Sequence, residues 1–225
     1  MNALATLVRS TVGQKVLMAV TGLMMVGWLV LHTTGNLLVF KGEKDFDKYA
    51  AFIQSGFGVE PALLWLLRFV MLAAIVVHIR AALVLSARNR ASRPASYAAG
   101  RKDQATSYTA HFMRGGGIVI LLYLVFHILH LTTGNAHFNG FEHGKAFRNL
   151  VNGLSQPAVA AAYIVANAAL GAHLFHGVSS AFQTLGVDHP GYNGLKFALG
   201  KAVPAYIAGG NLLIAVSILA GLVHL

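Results

Sequence analysis

The sequence predicts an all-α integral membrane protein with five transmembrane helices. Of its 225 residues, 56% are hydrophobic and 11% are charged, whereas soluble domains have about 25% charged residues. The apolar residues fall into five long runs, each able to cross a hydrocarbon core of about 30 Å as a helix. These spans use up the chain, so we expect one transmembrane domain over residues 1–225 and no separate soluble catalytic domain.

The first span covers about residues 16–40, a run without charge that carries one histidine, His32. Arg9 and Lys15 precede it, as in a signal peptide, but the run is longer than the roughly 7–15 residues of a signal h-region. No small-residue cleavage site follows the run. We therefore interpret it as a retained transmembrane helix.

The other four spans follow at regular intervals. We predict helices at about 61–85, 114–134, 157–185 and 202–225, and the second and fourth begin at a proline, which suits a first helical turn. The loop at 41–60 has mixed charge and can hold an amphipathic turn on the membrane surface.

Basic residues concentrate in one connection and predict the orientation. Residues 86–114 contain a single acid, Asp103, against six basic residues, namely Arg88, Arg90, Arg93, Arg101, Lys102 and Arg114. Lysine and arginine collect in cytoplasmic loops. We therefore expect a multi-pass protein of the bacterial cytoplasmic membrane with its N-terminus in the cytoplasm, and we attribute the net charge of +10 to this bias rather than to nucleic acid.

The composition excludes several classes of protein. There is no cysteine, which excludes disulfides, cysteine-ligated iron–sulfur clusters in this chain and a c-type haem. The sequence has no H-E-x-x-H, G-x-S-x-G or phosphate-loop motif. The span interiors have no acidic residue, which argues against a proton pump or transporter built on buried carboxylates.

Histidines lie at depth in each of the first four spans. An imidazole inside a membrane span is costly and is by default a functional residue. With a rise of about 1.5 Å per residue and the orientation above, His32 and His127 both lie in the outer half of the membrane. His78 and His173 lie nearer the cytoplasmic side. The depths therefore predict an outer pair, His32 with His127, and an inner pair, His78 with His173.

Two imidazoles at one depth, on different helices, are the axial ligands that a b-type haem requires. The sequence thus predicts two haem b groups, one on each pair, in a five-helix haem-binding bundle. Three arginines are candidates for the haem propionates: Arg80 and Arg114 at the inner haem and Arg148 at the outer one. Contact with phospholipid headgroups is an equal alternative for each arginine.

Two ligand choices have close competitors. Gly22 precedes His32 by ten residues and Gly117 precedes His127 by ten, which favours His127, although LHTTGN around His32 also echoes LHLTTGN around His130. Gly177 follows His173 by one turn and favours it over His176. We expect His130 and His176 to lie beside a haem or a quinone rather than to ligate iron, and we expect His137 to be solvated in a loop.

These motifs resemble the cytochrome b membrane anchor of succinate:quinone oxidoreductases, the succinate dehydrogenase and fumarate reductase family (complex II). The resemblance covers nearly the whole chain and is closest to the single-subunit, two-haem type. It is carried by G-x9-H in the first span with the following Asn36, by VVHIRAALVLSARNR around His78, by R-x12-H from Arg114 to His127, and by H-x3-G from His173 to Gly177.

The resemblance implies the partners and the cofactors. A flavoprotein subunit would carry the succinate or fumarate chemistry, an iron–sulfur subunit would exchange electrons with this chain on the cytoplasmic side, and a membrane quinone, often menaquinone, would react at the anchor. It also implies the same helix pairing, first with third and second with fourth. Some fumarate reductases of the family carry a glutamate close before the fourth-span ligand, whereas this chain has Gly171 and Ala172 there.

Other functions remain open from the sequence. A cytochrome b anchor of a hydrogenase or a formate dehydrogenase would need the same histidines, and a haem-free transporter or scaffold would need none of them. The physiological direction, the quinone type and the quinone pocket are not encoded in a readable motif. Arg68 and His130 are outer-side candidates for that pocket.

Overall fold

The computed structural model describes residue 6 and residues 8–92, 108–138, 140–187, 189–191 and 193–225, with the side chains of 108–112 excepted. Within these residues the protein is all-helical, and no β-strand occurs. The helices, in chain order, are α1 (Thr11–Asn36), α2 (Glu43–Gln54), α3 (Pro61–Ala91), α4 (Tyr108–His127), α5 (Ala146–Leu154), α6 (Pro157–Thr184) and α7 (Asn193–Leu219).

Five of the described helices are long and apolar enough to cross a membrane, as the sequence predicts. They are α1 with a 3-10 extension over Leu37–Lys41, then α3, α4, α6 and α7. Large apolar side chains, such as Trp65, Leu66 and Phe69 of α3, are exposed on the outside of the bundle. An apolar exterior suits a protein that faces lipid, and the chain is a multi-pass membrane protein.

The helix bounds differ from the predicted spans mostly where a helix continues past the apolar run. α1 begins at Thr11 because the Ser10 hydroxyl accepts a hydrogen bond from the Gly13 amide, at 2.9 Å, and caps the helix. α3 continues to Ala91 through arginines that are good helix formers. α7 begins at Asn193 rather than near residue 202, so Pro204 lies inside the helix, and it ends at Leu219 before Gly221, whose φ is 71°.

Two short helices lie outside the spans. α2 occupies the predicted 41–60 loop, where we expected no more than an amphipathic turn. α5 occupies the predicted 135–156 loop and buries Phe147, Leu150, Val151 and Leu154. Since α1, α4 and α7 all end where α2 and α5 lie, we call this side of the bundle the α5 end and the other side the opposite end.

α5 closes the α5 end of the bundle. Its buried face packs into one apolar cluster with residues of α2, α6 and α7, among them Phe46, Tyr163 and Ile214. A second apolar cluster around Leu170, Leu174 and Ile207 lies further along α6 and α7. The structure describes only part of the basic segment 86–114, from which we predict the orientation. Arg88 and Arg90 belong to α3, while Arg93, Arg101, Lys102 and Asp103 lie outside the described residues.

Candidate functional site

The four histidines of the sequence prediction form two facing pairs. The rings of His32 on α1 and His127 at the end of α4 have centroids 5.9 Å apart and planes at 89°. The rings of His78 on α3 and His173 on α6 have centroids 6.5 Å apart and planes at 58°. The structure therefore brings together the same partners that the depth argument pairs.

The helices that carry each pair pack mainly against other helices of the bundle. α1 packs closely against α3, α6 and α7, and α4 packs against α6. Extensive backbone packing between α1 and α4, or between α3 and α6, does not occur among the described residues. Each imidazole pair therefore spans a gap between two helices that are held apart by their other neighbours.

The two pairs lie at different levels of the bundle. His78 contacts α1 at Met18 and Thr21, whereas His32 lies ten or more residues further along the same helix. With a rise of about 1.5 Å per residue, this offset places the pairs roughly 15–20 Å apart along the helix axis. The His32–His127 pair lies near the α5 end, and the His78–His173 pair lies closer to the opposite end.

The ring separations suit two axial ligands of one metal. An imidazole nitrogen lies about 2 Å from a metal that it ligates and roughly another 1 Å from the centre of its own ring. Two imidazoles on opposite sides of one iron then have centroids about 6 Å apart, whatever the angle between their planes. The observed 5.9 Å and 6.5 Å both agree with this value.

The hydrogen bonds of the His78–His173 pair leave ring nitrogens available. His78 Nδ1 donates to the backbone carbonyl of Met18, at 3.0 Å, because a carbonyl can only accept. This bond leaves Nε2 of His78 for a ligand, and it is the orienting contact that metal-bound histidines usually make. The Nδ1 atom of His173 is buried without a hydrogen-bond partner. Such an atom is costly unless a ligand compensates for it.

Glycines lie beside the same pair. A Cβ atom at Gly22 of α1 would lie 3.3 Å from His78 Cε1, and one at Gly117 of α4 would lie 3.8 Å from His173 Cε1. Gly22 and Gly117 precede His32 and His127 by ten residues on the same helices. Both glycines therefore lie at the level of the His78–His173 pair and not beside the histidine that follows them. Both glycines leave space around imidazoles that face them.

The His32–His127 pair has a polar neighbour that sequence reasoning missed. The hydroxyl of Tyr163 on α6 lies 3.2 Å from His127 Nδ1 and 3.0 Å from His130 Nδ1. Tyr163 is 5% exposed, and His130 is completely buried. The spacing along α6 could have indicated this residue. Tyr163 precedes His173 by ten residues and therefore lies at the level of the His32–His127 pair.

A π-helical turn separates the roles of His127 and His130. α4 ends at His127 and continues as a wider turn over Ile128–Thr132, with the Thr133 amide bonded to the Ile128 carbonyl at 3.0 Å. Such turns are frequent at functional sites. His127 faces His32, while His130 stacks on His137 with centroids 4.8 Å apart.

His137 is not the solvated residue that the sequence indicates. Its Nε2 atom donates to the backbone carbonyl of Asn149 at 2.9 Å, and its ring covers His130. The expectation was wrong because α5, which supplies Asn149, was not predicted. His176 remains on α6, one turn beyond His173, and is half-buried.

The candidate arginines are placed differently. Arg80 and Arg114 are exposed, close in sequence to the His78–His173 level. Arg148 lies 3.3 Å from Glu142 and forms a salt bridge with it, although its Nε atom is buried without a hydrogen-bond partner. Arg68 lies over the ring of Trp65, 4.8 Å from its centroid.

Over the described part of the chain, no three His, Asp, Glu or Cys side chains converge as in a site built from protein ligands alone. A haem needs only two protein ligands, since the porphyrin supplies the other four. The comparisons with protein-family models, curated proteins and solved structures found no match to this chain.

Proposed function

We propose that the chain is the dihaem cytochrome b membrane anchor of a succinate:quinone oxidoreductase, which passes electrons between an iron–sulfur subunit and a membrane quinone. The observation that supports this proposal is the pair of facing imidazoles at each of two levels in a bundle of five spans. The family assignment rests on the spacing of the motifs around these histidines.

In this proposal His32 and His127 hold one haem b, and His78 and His173 hold the other. A haem with two axial imidazoles supplies one-electron transfer and has no open position for a substrate. The carbonyl of Met18 holds the ring of His78 through Nδ1 and leaves its Nε2 atom to bind iron. The apolar helices around both pairs exclude water, and Arg80, Arg114 and Arg148 are proposed to bind propionates.

The partners follow from the orientation and the family. With the N-terminus in the cytoplasm of a bacterium, the His78–His173 pair is the inner site, and it exchanges electrons with an iron–sulfur subunit that in turn exchanges them with a flavoprotein. The His32–His127 pair is the outer site and exchanges electrons with a quinone, which we propose is menaquinone. The chain would thus be the quinone-reactive part of an enzyme whose succinate or fumarate chemistry occurs elsewhere.

The test is a haem count on the intact complex, purified in detergent from its native membrane. We expect a reduced-minus-oxidised spectrum of b type and two haems per chain. His32→Ala and His78→Ala should each reduce the count to one. His143→Ala is the matched control, because this histidine is exposed at the α5 end, and it should keep both haems. A haem-free wild type, or two haems in His32→Ala, would refute the proposal.

The nature of the complex is tested on the same preparation. Flavin in a co-purifying subunit supports the succinate:quinone oxidoreductase. Nickel or molybdenum instead of flavin would assign the chain to a hydrogenase or a formate dehydrogenase and would overturn the family part of the proposal while leaving its haem part intact.

A further inference from the structure

We propose that Tyr163 is the positioning residue of the outer haem: its hydroxyl accepts a hydrogen bond from His127 and donates one to His130. This inference rests on the proposed function, because it concerns the state of His127 as an iron ligand. It goes beyond the ligand assignment, since it names the residues that set the orientation and the electron donation of one particular imidazole.

The direction of the hydrogen bonds follows from the donors and acceptors present. An imidazole that binds iron through Nε2 carries its proton on Nδ1 and can only donate from there. His127 Nδ1 lies 3.2 Å from the Tyr163 oxygen, which therefore accepts. The hydroxyl proton of Tyr163 then points to His130 Nδ1, which lies 3.0 Å from the same oxygen.

The surroundings hold this arrangement in one geometry. Tyr163 is 5% exposed and its ring packs against those of Tyr123, Phe126 and His130. His130 is in turn sandwiched between Phe126, at 5.3 Å and 7°, and His137, at 4.8 Å and 12°. The hydroxyl therefore has little freedom to turn towards another acceptor.

The two haem sites differ in this respect. At the inner pair, His78 donates to a backbone carbonyl, and His173 has a buried Nδ1 atom without a hydrogen-bond partner. At the outer pair, His127 donates to a hydroxyl whose own proton is engaged. A hydroxyl that donates is a stronger acceptor, because linked hydrogen bonds polarise one another. The bond strengthens electron donation by His127 to iron and favours the oxidised haem.

The experiment compares Tyr163→Phe with wild type in a redox titration of the intact complex, followed by visible absorption. Loss of the hydroxyl weakens donation by His127, so the outer haem should become easier to reduce. We expect its reduced-to-oxidised equilibrium to move about threefold to tenfold towards the reduced form, and a tenfold change in this one-electron couple equals about 59 mV. The inner haem should keep its potential.

Tyr123→Phe is the matched control. The ring of Tyr123 also lies beside His127, with the two centroids 5.6 Å apart. The hydroxyl that bonds to the two histidines, however, is that of Tyr163. This variant removes a buried hydroxyl from the same cluster and should leave both potentials unchanged. Equal shifts in the two variants would mean that the cluster responds to any loss of a hydroxyl, and this would overturn the specific role of Tyr163.

A second measurement covers the case in which Tyr163→Phe assembles poorly. The low-spin electron paramagnetic resonance signal of a haem with two imidazoles depends on the angle between their planes, which is 89° for His32 and His127. In His130→Leu, the Tyr163 hydroxyl loses the imidazole nitrogen that accepts its proton, and the outer-haem signal should broaden. Two haems with unchanged potentials and signals in both variants would overturn the inference alone, whereas a haem-free wild type would refute the proposed function.

Discussion

Gly153 of α5 lies directly against the imidazole of His130: a Cβ atom at this glycine would come within 2.6 Å of Nε2. The same position would be 3.3 Å from His137 Nε2. α5 can approach the stacked histidines only because residue 153 has no side chain. The closure of the α5 end and the geometry around Tyr163 therefore depend on one another.

Gly153→Ala should destabilise the protein and disturb the outer pair. The new methyl group would push His130 away or lift α5, and overpacking of this kind costs about 1–3 kcal/mol. Thermal unfolding of the purified complex should show a lower midpoint, and the outer-haem band should shift. Gly209→Ala is the control, because this glycine of α7 has open space around it. A similar unfolding midpoint in the two variants would contradict the close approach.

Substitution of Gly22 should affect the other haem. A Cβ atom there lies 3.3 Å from His78 Cε1, so Gly22→Ala requires a shift of only a few tenths of an ångström, while the branches of valine in Gly22→Val would displace the imidazole. We expect Gly22→Val to lose the inner haem and to retain the outer one, with Gly22→Ala close to wild type. The measurement is the haem count together with the spectrum.

Gly27→Val separates this effect from a general one. Gly27 lies on the same helix, is exposed, and has no atom within 4 Å of its Cβ position. It should keep both haems. Loss of haem in Gly27→Val to the same extent would show that β-branched residues in α1 are harmful irrespective of His78.

Tyr49 should make the stability depend on alkaline pH. Its ring lies against Gly35 of α1, and burial raises the pKa of its hydroxyl above the ordinary value of 10.0. The unfolded chain therefore loses this proton first. The stabilisation is complete below pH 10 and is lost as the pH rises through the raised pKa. Unfolding midpoints measured between about pH 9 and pH 11 should fall more steeply for wild type than for Tyr49→Phe; parallel curves would contradict the partial burial of this hydroxyl.

Much of the fold could be predicted because a bilayer imposes length and polarity on every span. The five helices follow from the apolar runs, and the partners of each histidine follow from its depth on an antiparallel set of helices. The length of a span and the depth of a histidine within it can each be determined from the sequence of a single helix. The identity of the haem ligands and the orientation in the membrane stay predictions.

The rest depends on contacts between distant segments. No residue pattern in the sequence predicts the π-helical turn, which places His130 on a different face of the helix from His127. α5 is a helix of nine residues that lies in a polar loop and is stabilised by burial of its apolar face. Tyr163 gains its role only through the end of α4, so a search for histidines and arginines could not find it.

Asp47 shows how such a long-range contact can be tested. Its Oδ1 atom on α2 accepts a hydrogen bond from the Phe147 amide at 2.8 Å, so a residue from another helix caps the first turn of α5. Asp47→Ala leaves that amide unpaired and should cost about 0.5–2 kcal/mol. Hydrogen exchange of the α5 amides should accelerate, because the cap fixes the helix that covers His130 and His137.

Asp47→Asn keeps an acceptor and should lie between Asp47→Ala and wild type. Asp45→Ala removes an exposed acid from the same helix and should leave exchange in α5 unchanged. If Asp45→Ala and Asp47→Ala accelerate exchange equally, the contribution of Asp47 is general charge rather than the cap.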